Sequence, residues 1–207
     1  MKLKVLTTCD NPDHDGYRRL QASLERFGYD YECIVHRFSF GHQLPVVQSW
    51  CSQYRGDCTH ILYTDAFDTI AFAGPQEVMA KMPDAKMLIS CEKACYPYPD
   101  RAVEYPPTDT PWKYVNGGGW LVEIEYFKHL CQKENLNQNS HDQVWLMEAF
   151  LRNQDNIKLD NYCRIFQTIA FSNREEWVRS ADRWINIGTG TLPVFFHGNG
   201  RTDMGWL

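Results

Sequence analysis

The strongest constraint on the fold lies in the first 65 residues, where short apolar runs alternate with helical patterns. Residues 2–9 read as a strand, and residues 13–27 as an amphipathic helix with Tyr17, Leu20, Leu24 and Phe27 at helical spacing, closed by Gly28. Residues 31–36 read as a second strand, 46–54 as a weaker helix, and 60–64 as a third strand running into Asp65-Ala66-Phe67-Asp68. This β-α-β-α-β alternation predicts a largely parallel sheet covered by helices, because parallel neighbours need a long crossover between them.

The alternation continues. Gly74-Pro75 breaks the chain before a short helix at 76–81, and 86–91 is another apolar strand. The span 96–112 carries Pro97, Pro99, Pro106, Pro107 and Pro111 with little periodicity, which predicts a loop lying over a site. Residues 117–124 resume as a strand, 125–134 and 142–151 as helices, and 192–196 as a final strand leading into His197-Gly198-Asn199-Gly200. With no repeat, linker or low-complexity segment in 207 residues, the expectation is one α/β domain over residues 1–207.

Composition narrows the function. A hydrophobic fraction of 43% belongs to an ordinary globular protein and argues against disorder. A formal charge of -5 gives no overall attraction to nucleic acid or an anionic membrane. The start of the chain lacks the apolar core of a signal peptide, and no run reaches the length of a membrane span, so the expectation is a cytoplasmic protein with no membrane partner. The eight cysteines include no C-x-x-C pair and are expected to be reduced and mostly buried.

In open α/β sheets ligands collect beyond the carboxyl ends of the strands, which is where Asp65 and Asp68 fall. Two carboxylates repel a diphosphate, yet they bind it through Mg²⁺ or Mn²⁺, which accept oxygen ligands and bridge to phosphate. Taken alone, so short a motif more often just caps the turn after a strand. His197 follows an apolar strand, where it would supply a metal nitrogen, and Gly198 and Gly200 would let backbone approach phosphate. Tyr114-Val115-Asn116-Gly117-Gly118-Gly119 offers a bare backbone surface for a sugar, or a turn into a strand. Trp112, Trp120 and Trp145 lie near the presumed cleft, with core packing expected for the last two. Glu92 and Lys93 close the fourth strand, facing either an acceptor or solvent.

Six motifs in one order resemble the glycosyltransferase domain of procollagen lysyl hydroxylases across nearly the whole chain. They are Tyr-Thr-Asp-Ala-Phe-Asp at 63–68, Ser-Cys-Glu-Lys-Ala-Cys-Tyr-Pro at 90–97, Tyr-Val-Asn-Gly-Gly-Gly at 114–119, His-Asp-Gln at 141–143, Cys-Arg-Ile-Phe-Gln at 163–167 and Leu-Pro-Val-Phe-Phe-His-Gly-Asn-Gly at 192–200. The resemblance implies a GT-A fold, a UDP-sugar donor and Mn²⁺ (or Mg²⁺). It implies Asp65, Asp68 and His197 as metal ligands, and Asp65, Phe67, Asp68, Asn116, Gly117, Gly118, Gly198 and Asn199 around the donor. Asn116 and Asp142 become the sugar-pocket residues that serve catalysis. Asp142, at the start of an amphipathic helix, would bond sugar hydroxyls or act as a base, or simply cap its helix.

Two departures stand out. Where the family carries a lysine and a tryptophan after the second strand, residues 36–47 contain neither. The family's acidic run before Asp-Gln shrinks here to Ser140-His141-Asp142. The expectation is therefore a stand-alone transferase that moves a hexosyl or pentosyl group from a nucleotide sugar to a hydroxyl on a glycan, a protein or a hydroxymethylated DNA base. A noncatalytic nucleotide-sugar or carbohydrate-binding module of the same fold is the alternative.

Overall fold

The computed structural model describes residues 2–36 and 41–207, so part of the lysine-free segment 36–47 lies outside the described residues. The chain runs β1 (Leu3–Cys9), α1 (Asp15–Arg26), β2 (Tyr31–Val35), α2 (Leu44–Gln53), β3 (His60–Thr64), β4 (Thr69–Ala71), α3 (Pro75–Lys81) and β5 (Met87–Glu92). After a 3₁₀ turn at Pro99–Glu104 come β6 (Tyr114–Glu123), α4 (Ile124–Lys133), α5 (Asp142–Arg152), β7 (Ile157–Leu159), β8 (Phe166–Thr168), β9 (Trp177–Ser180), β10 (Arg183–Asn186) and β11 (Phe195–His197).

Among the described residues, the main sheet has the order β2-β1-β3-β6-β5-β7. β1 is parallel to β2 and β3, and β5 to β7, whereas β6 runs antiparallel to both β3 and β5. The largely parallel expectation holds except at β6, and that exception builds the site. Being reversed, β6 brings its early residues beside the carboxyl ends of β3 and β5, with Gly119 opposite Thr64 and Tyr114 opposite Glu92. A second sheet, β4-β11-β8, places His197 opposite both Thr69 and Thr168.

Successive residues of the central strands enter opposite cores, as the two-residue side-chain period requires. Leu6, Ile61, Ile89 and Trp120 pack on one face with Leu44, Val47, Phe127 and Trp145. Val5, Leu62, Leu88 and Leu121 pack on the other with Leu20, Leu24 and Phe195. Trp120 and Trp145 are core residues, as expected. Trp112 is also buried: its Nε1 donates to the Thr168 carbonyl and the Lys93 ammonium lies over its ring, so it offers the cleft no free face.

Three segments differ from the sequence reading. The glycines at 117–119 lie inside β6, which begins at Tyr114. They are extended, with the strand starting three residues before the expected 117, and the smallness of Gly118 and Gly119 answers close neighbours: a Cβ on Gly119 would lie 2.9 Å from the Phe166 ring. The last strand is Phe195–His197 and not 192–196, so His197 belongs to the strand, while the proline-bearing approach stays outside it. The span 96–112 is not uniformly a covering loop, because Tyr105 is buried against Tyr114 and Phe150.

The Cys-Arg-Ile-Phe-Gln segment is organised by a carboxylate. Buried Asp160 accepts the backbone N–H groups of Arg164, Ile165 and Phe166 at 2.8–2.9 Å, which turns the chain into β8. All eight cysteines are free thiols, and burial raises those at 51, 91, 131 and 163. No helix among the described residues is long and apolar enough to cross a membrane.

Candidate functional site

A cleft of about 590 Å³ opens where β3, β5 and the start of β6 meet β11. The loop from β3 to β4 carries Asp65 and Asp68, and its shape is fixed from three sides. Asp65 N donates to the Gly118 carbonyl at 3.1 Å, and Gly198 N donates to the Asp68 carbonyl at 2.7 Å. From behind, α1 starts so close that a Cβ on Gly16 would fall 1.9 Å from the Phe67 carbonyl oxygen.

The side chains of Asp65, Asp68 and His197 converge on one point, their ligand atoms all within 4.8 Å of one another. His197 Nε2 lies 3.4 Å from Asp65 Oδ2 and 3.3 Å from Asp68 Oδ1. Such spacings suit neighbouring ligands of one divalent ion, which at ligand distances of about 2.1–2.2 Å sit roughly 3 Å apart. The donor set, two carboxylates and an imidazole, suits Mn²⁺ or Mg²⁺ better than a thiolate-seeking metal.

The residues around the triad aim it. Asn116 Oδ1 lies 3.1 Å from His197 Nδ1, which turns Nε2 toward the carboxylates. The same oxygen accepts Gly118 N at 3.1 Å. Tyr63 donates its hydroxyl to Asp65 Oδ1 at 3.3 Å and is itself stacked on Trp120. Gly118 leaves the room this needs: a Cβ there would lie 2.1 Å from His197 Cε1 and 2.5 Å from Asp65 Oδ2.

Electrostatics tell the same story. Burial pulls the His197 imidazolium down, yet Asp68 and Asp65 outweigh it and hold the pKa at about 10. Burial likewise pushes the Asp68 carboxyl up, and His197 overcomes it, leaving Asp68 below its ordinary value. Two partly exposed carboxylates converging on a buried imidazole favour a cation between them; in the metal-free protein the histidine proton serves.

Of the residues named from sequence, Asp65, Asp68, Asn116, Gly117, Gly118, Asp142, His197 and Asn199 all line this one cleft. Phe67 and Gly198 are outside its lining. Phe67 packs on His14 with ring centroids 4.4 Å apart, buttressing the loop from the α1 side. A Cβ on Gly198 would meet Met204 Sδ at 2.6 Å, so its smallness admits the C-terminal segment. Asn199 acts as a strut: its Oδ1 accepts the N–H groups of Ile169 and Ala170, and its Nδ2 donates to Glu92 at 2.8 Å.

Glu92 does line the cleft, buried and bonded by Asn199 and Gln143; burial raises its carboxyl despite these bonds. Lys93 turns away, paired with Glu176 at 2.6 Å. The sequence reading missed Gln143 as a structural link, although it stands in the His-Asp-Gln motif. Its Oε1 accepts Gly117 N, while its Nε2 donates to Glu92 and to the Tyr96 and Val115 carbonyls. Tyr96 and Phe171, both exposed, form aromatic parts of the cleft lining that composition could not single out. Phe171 stands at a positive φ of 59°.

Asp142 does not cap its own helix. Its carboxylate accepts the backbone N–H groups of Gln43 at 2.6 Å and Leu44 at 3.0 Å, at the start of α2. Burial raises its pKa to about 6, against the opposing effect of those two bonds.

Comparison with known proteins agrees with this architecture. The chain matches the family model of the PLOD GT domain over residues 1–205. It is 27% identical over 224 residues to human procollagen-lysine,2-oxoglutarate 5-dioxygenase 2, covering 98% of this chain and 30% of that protein. The bovine procollagen-lysine,2-oxoglutarate 5-dioxygenase 1 is 31% identical over 221 residues, with the same coverage. The chain thus spans under a third of the length of these relatives. Among solved structures, mouse xyloside xylosyltransferase 1 superposes with a TM-score of 0.60 at 13% identity, covering 98% of this chain and 99% of that one. A glycosyltransferase involved in glycosylation of the major capsid of PBCV-1 gives 0.58 at 12% identity, covering 97% and 94%. The chain belongs to the PLOD GT domain family and is a glycosyltransferase with the GT-A fold.

Proposed function

We propose that this domain, acting as one unit over residues 1–207, transfers a hexosyl or pentosyl group from a UDP-sugar to a hydroxyl acceptor with Mn²⁺ or Mg²⁺ at Asp65, Asp68 and His197. The observation that carries the reading is the convergence of those three side chains beside the bare backbone of Gly117 and Gly118. The ion would offset the donor diphosphate's charge and that of the departing nucleotide.

The chain's own residues supply the rest. Asn116 keeps His197 Nε2 directed at the ion site, and Tyr63 holds the Asp65 carboxylate in place. The glycines let the donor lie against β6 backbone, with Asn116 and Asp142, which line the same cleft, on its sugar side. Glu92, with one oxygen held by Gln143 and the other by Asn199, orders the cleft wall against which the acceptor hydroxyl would enter. Tyr96 and Phe171 offer faces on which the acceptor packs. The acceptor class is a glycan, a protein or a hydroxymethylated DNA base, and the -5 charge weighs against DNA.

Calorimetric titration with UDP, with Mn²⁺ and then with EDTA, tests the reading. Binding is expected only with the metal, because Asp65 and Asp68 repel a bare diphosphate. Equal affinity in EDTA would refute it.

A further inference from the structure

Helix α2 begins with an unusual shortage of partners. Its N-cap, Gln43, makes no side-chain cap bond, and the first turn carries Pro45 and no acidic residue. The N–H groups of Gln43 and Leu44 are the orphan donors that any helix start leaves, and here a residue about a hundred positions away satisfies them. Asp142 gives one oxygen to each. The charge also stands at the positive end of the α2 dipole. A third link joins the same two segments, Asp142 N donating to the Gly41 carbonyl at 2.7 Å. Gly41 itself has φ +80°, and a Cβ on it would meet His141 Nε2 at 2.9 Å, so the two segments press together.

Gly41 and Gln43 line the cleft, as do His141, Asp142 and Gln143. On the other side, Gln143 ties the same first turn of α5 to Gly117 and Glu92. The first turn of α5 is therefore a bracket between two walls of the cleft. A carboxylate whose two oxygens both face backbone N–H groups is poorly placed to take a proton from an acceptor.

We infer that Asp142 is a positioning residue: it clamps the 41–44 segment against the cleft through its two oxygens, and thereby sets the affinity for the nucleotide sugar. The inference rests on the donor site proposed above, but the clamp itself is measurable without donor. Asparagine at 142 keeps the shape, offers one acceptor, and turns an amide N–H toward the second backbone N–H.

Two measurements test it. By residue-resolved hydrogen exchange on ligand-free protein, the Gln43 and Leu44 amides are expected to be protected in the wild type. In Asp142→Asn they should exchange at least about tenfold faster, since bonds to a charged acceptor are worth that much, while β6 amides stay unchanged. In turnover with UDP-glucose and Mn²⁺, the loss should fall on KM, about tenfold, and not on kcat. A kcat reduced 10² to 10⁴ fold at unchanged KM would identify a general base and overturn the inference. Freely exchanging Gln43 and Leu44 amides in the wild type would overturn it without recourse to any variant. If the wild type turned over no sugar nucleotide, the functional reading would fail and the exchange result would still decide the clamp.

Discussion

Gly118→Ala is the sharpest perturbation of the proposed ion site, since it removes no ligand and adds one methyl group. Gly118 does not occupy the left-handed region, so alanine is acceptable to the backbone and the whole effect comes from crowding. The new Cβ would stand 2.1 Å from His197 Cε1, where ordinary contact begins at 3.4 Å, so ring or strand must retreat by about 1.3 Å. Asp65 Oδ2, 2.5 Å from the same Cβ, can yield only by straining the Tyr63 hydrogen bond on its other oxygen. The imidazole has less freedom still, because it is buried and its Nδ1 is held by Asn116. Metal sites tolerate errors of only about 0.2 Å in ligand distance, so a shift of this size uncouples His197 from the ion. The overpacking itself should cost about 1–3 kcal/mol. At about 2–4 °C per kcal/mol for a domain of this size, melting should fall by several degrees without loss of the fold. Titration with Mn²⁺ alone should show affinity lowered by about a hundredfold or more. Gly117→Ala is the control: its Cβ would meet nothing closer than 3.5 Å, and Mn²⁺ should bind as in the wild type. Wild-type Mn²⁺ affinity in Gly118→Ala would refute the placement of the ion between Asp65 and His197.

Acidity gives a second prediction. With its folded pKa raised from 6.5 to about 10, His197 must release a proton to bind metal, so Mn²⁺ affinity should rise about tenfold per pH unit between pH 7 and 9. Calorimetry in buffers of different ionisation enthalpy should count close to one proton released, and a count of zero would contradict the assignment. The sign for stability is the reverse: the raised pKa stabilises the metal-free protein fully below pH 6.5, and the contribution is lost as pH rises through about 10. Metal-free protein should therefore melt lower at pH 9.5 than at pH 7, and added Mn²⁺ should narrow the difference. For Asp160→Ala, loss of the acceptor for three backbone N–H groups should cost about 3 kcal/mol or more. A melting temperature within a degree or two of wild type would show that Asp160 does not organise the turn into β8.

The fold was most legible where the chain repeats a long-period pattern. β1, α1, β2 and β3 each carry their own apolar periodicity, and the structure places them within two residues of the expected bounds. β4, β7 and β8 were invisible because three residues are too few to show any period. The direction of β6 was hidden for a different reason. It is set by which edges of β3 and β5 it joins, a long-range fact that local pattern does not contain. Sequence alone leaves the glycine run open between a turn and a bare strand surface, because glycine supplies both φ > 0 and absence of bulk; here Gly118 and Gly119 supply absence of bulk against His197, Asp65 and Phe166.

The site divides along the same line. Asp65, Asp68 and His197 each follow or close an apolar strand, and strand ends converge in a sheet of this type, so position alone suggested a meeting point. What position could not supply was direction. Phe67 sits between the two aspartates, yet the loop turns its ring outward to His14, because Gly16 brings α1 hard against the loop backbone. Asp142 opens its helix, as an N-terminal carboxylate often does, yet its oxygens serve α2, which lacks a cap of its own. The deficiency at residue 43 and the surplus at residue 142 cancel only in three dimensions. The imidazole is likewise held by elements far apart in the chain. Its Nδ1 is fixed by a β6 side chain, its Nε2 faces carboxylates from the β3–β4 loop, and its backbone pairs with β4 and β8. A buried ring held from three elements costs little further ordering when an ion arrives, so the affinity of the site should be set by the proton it must displace more than by any rearrangement of the chain.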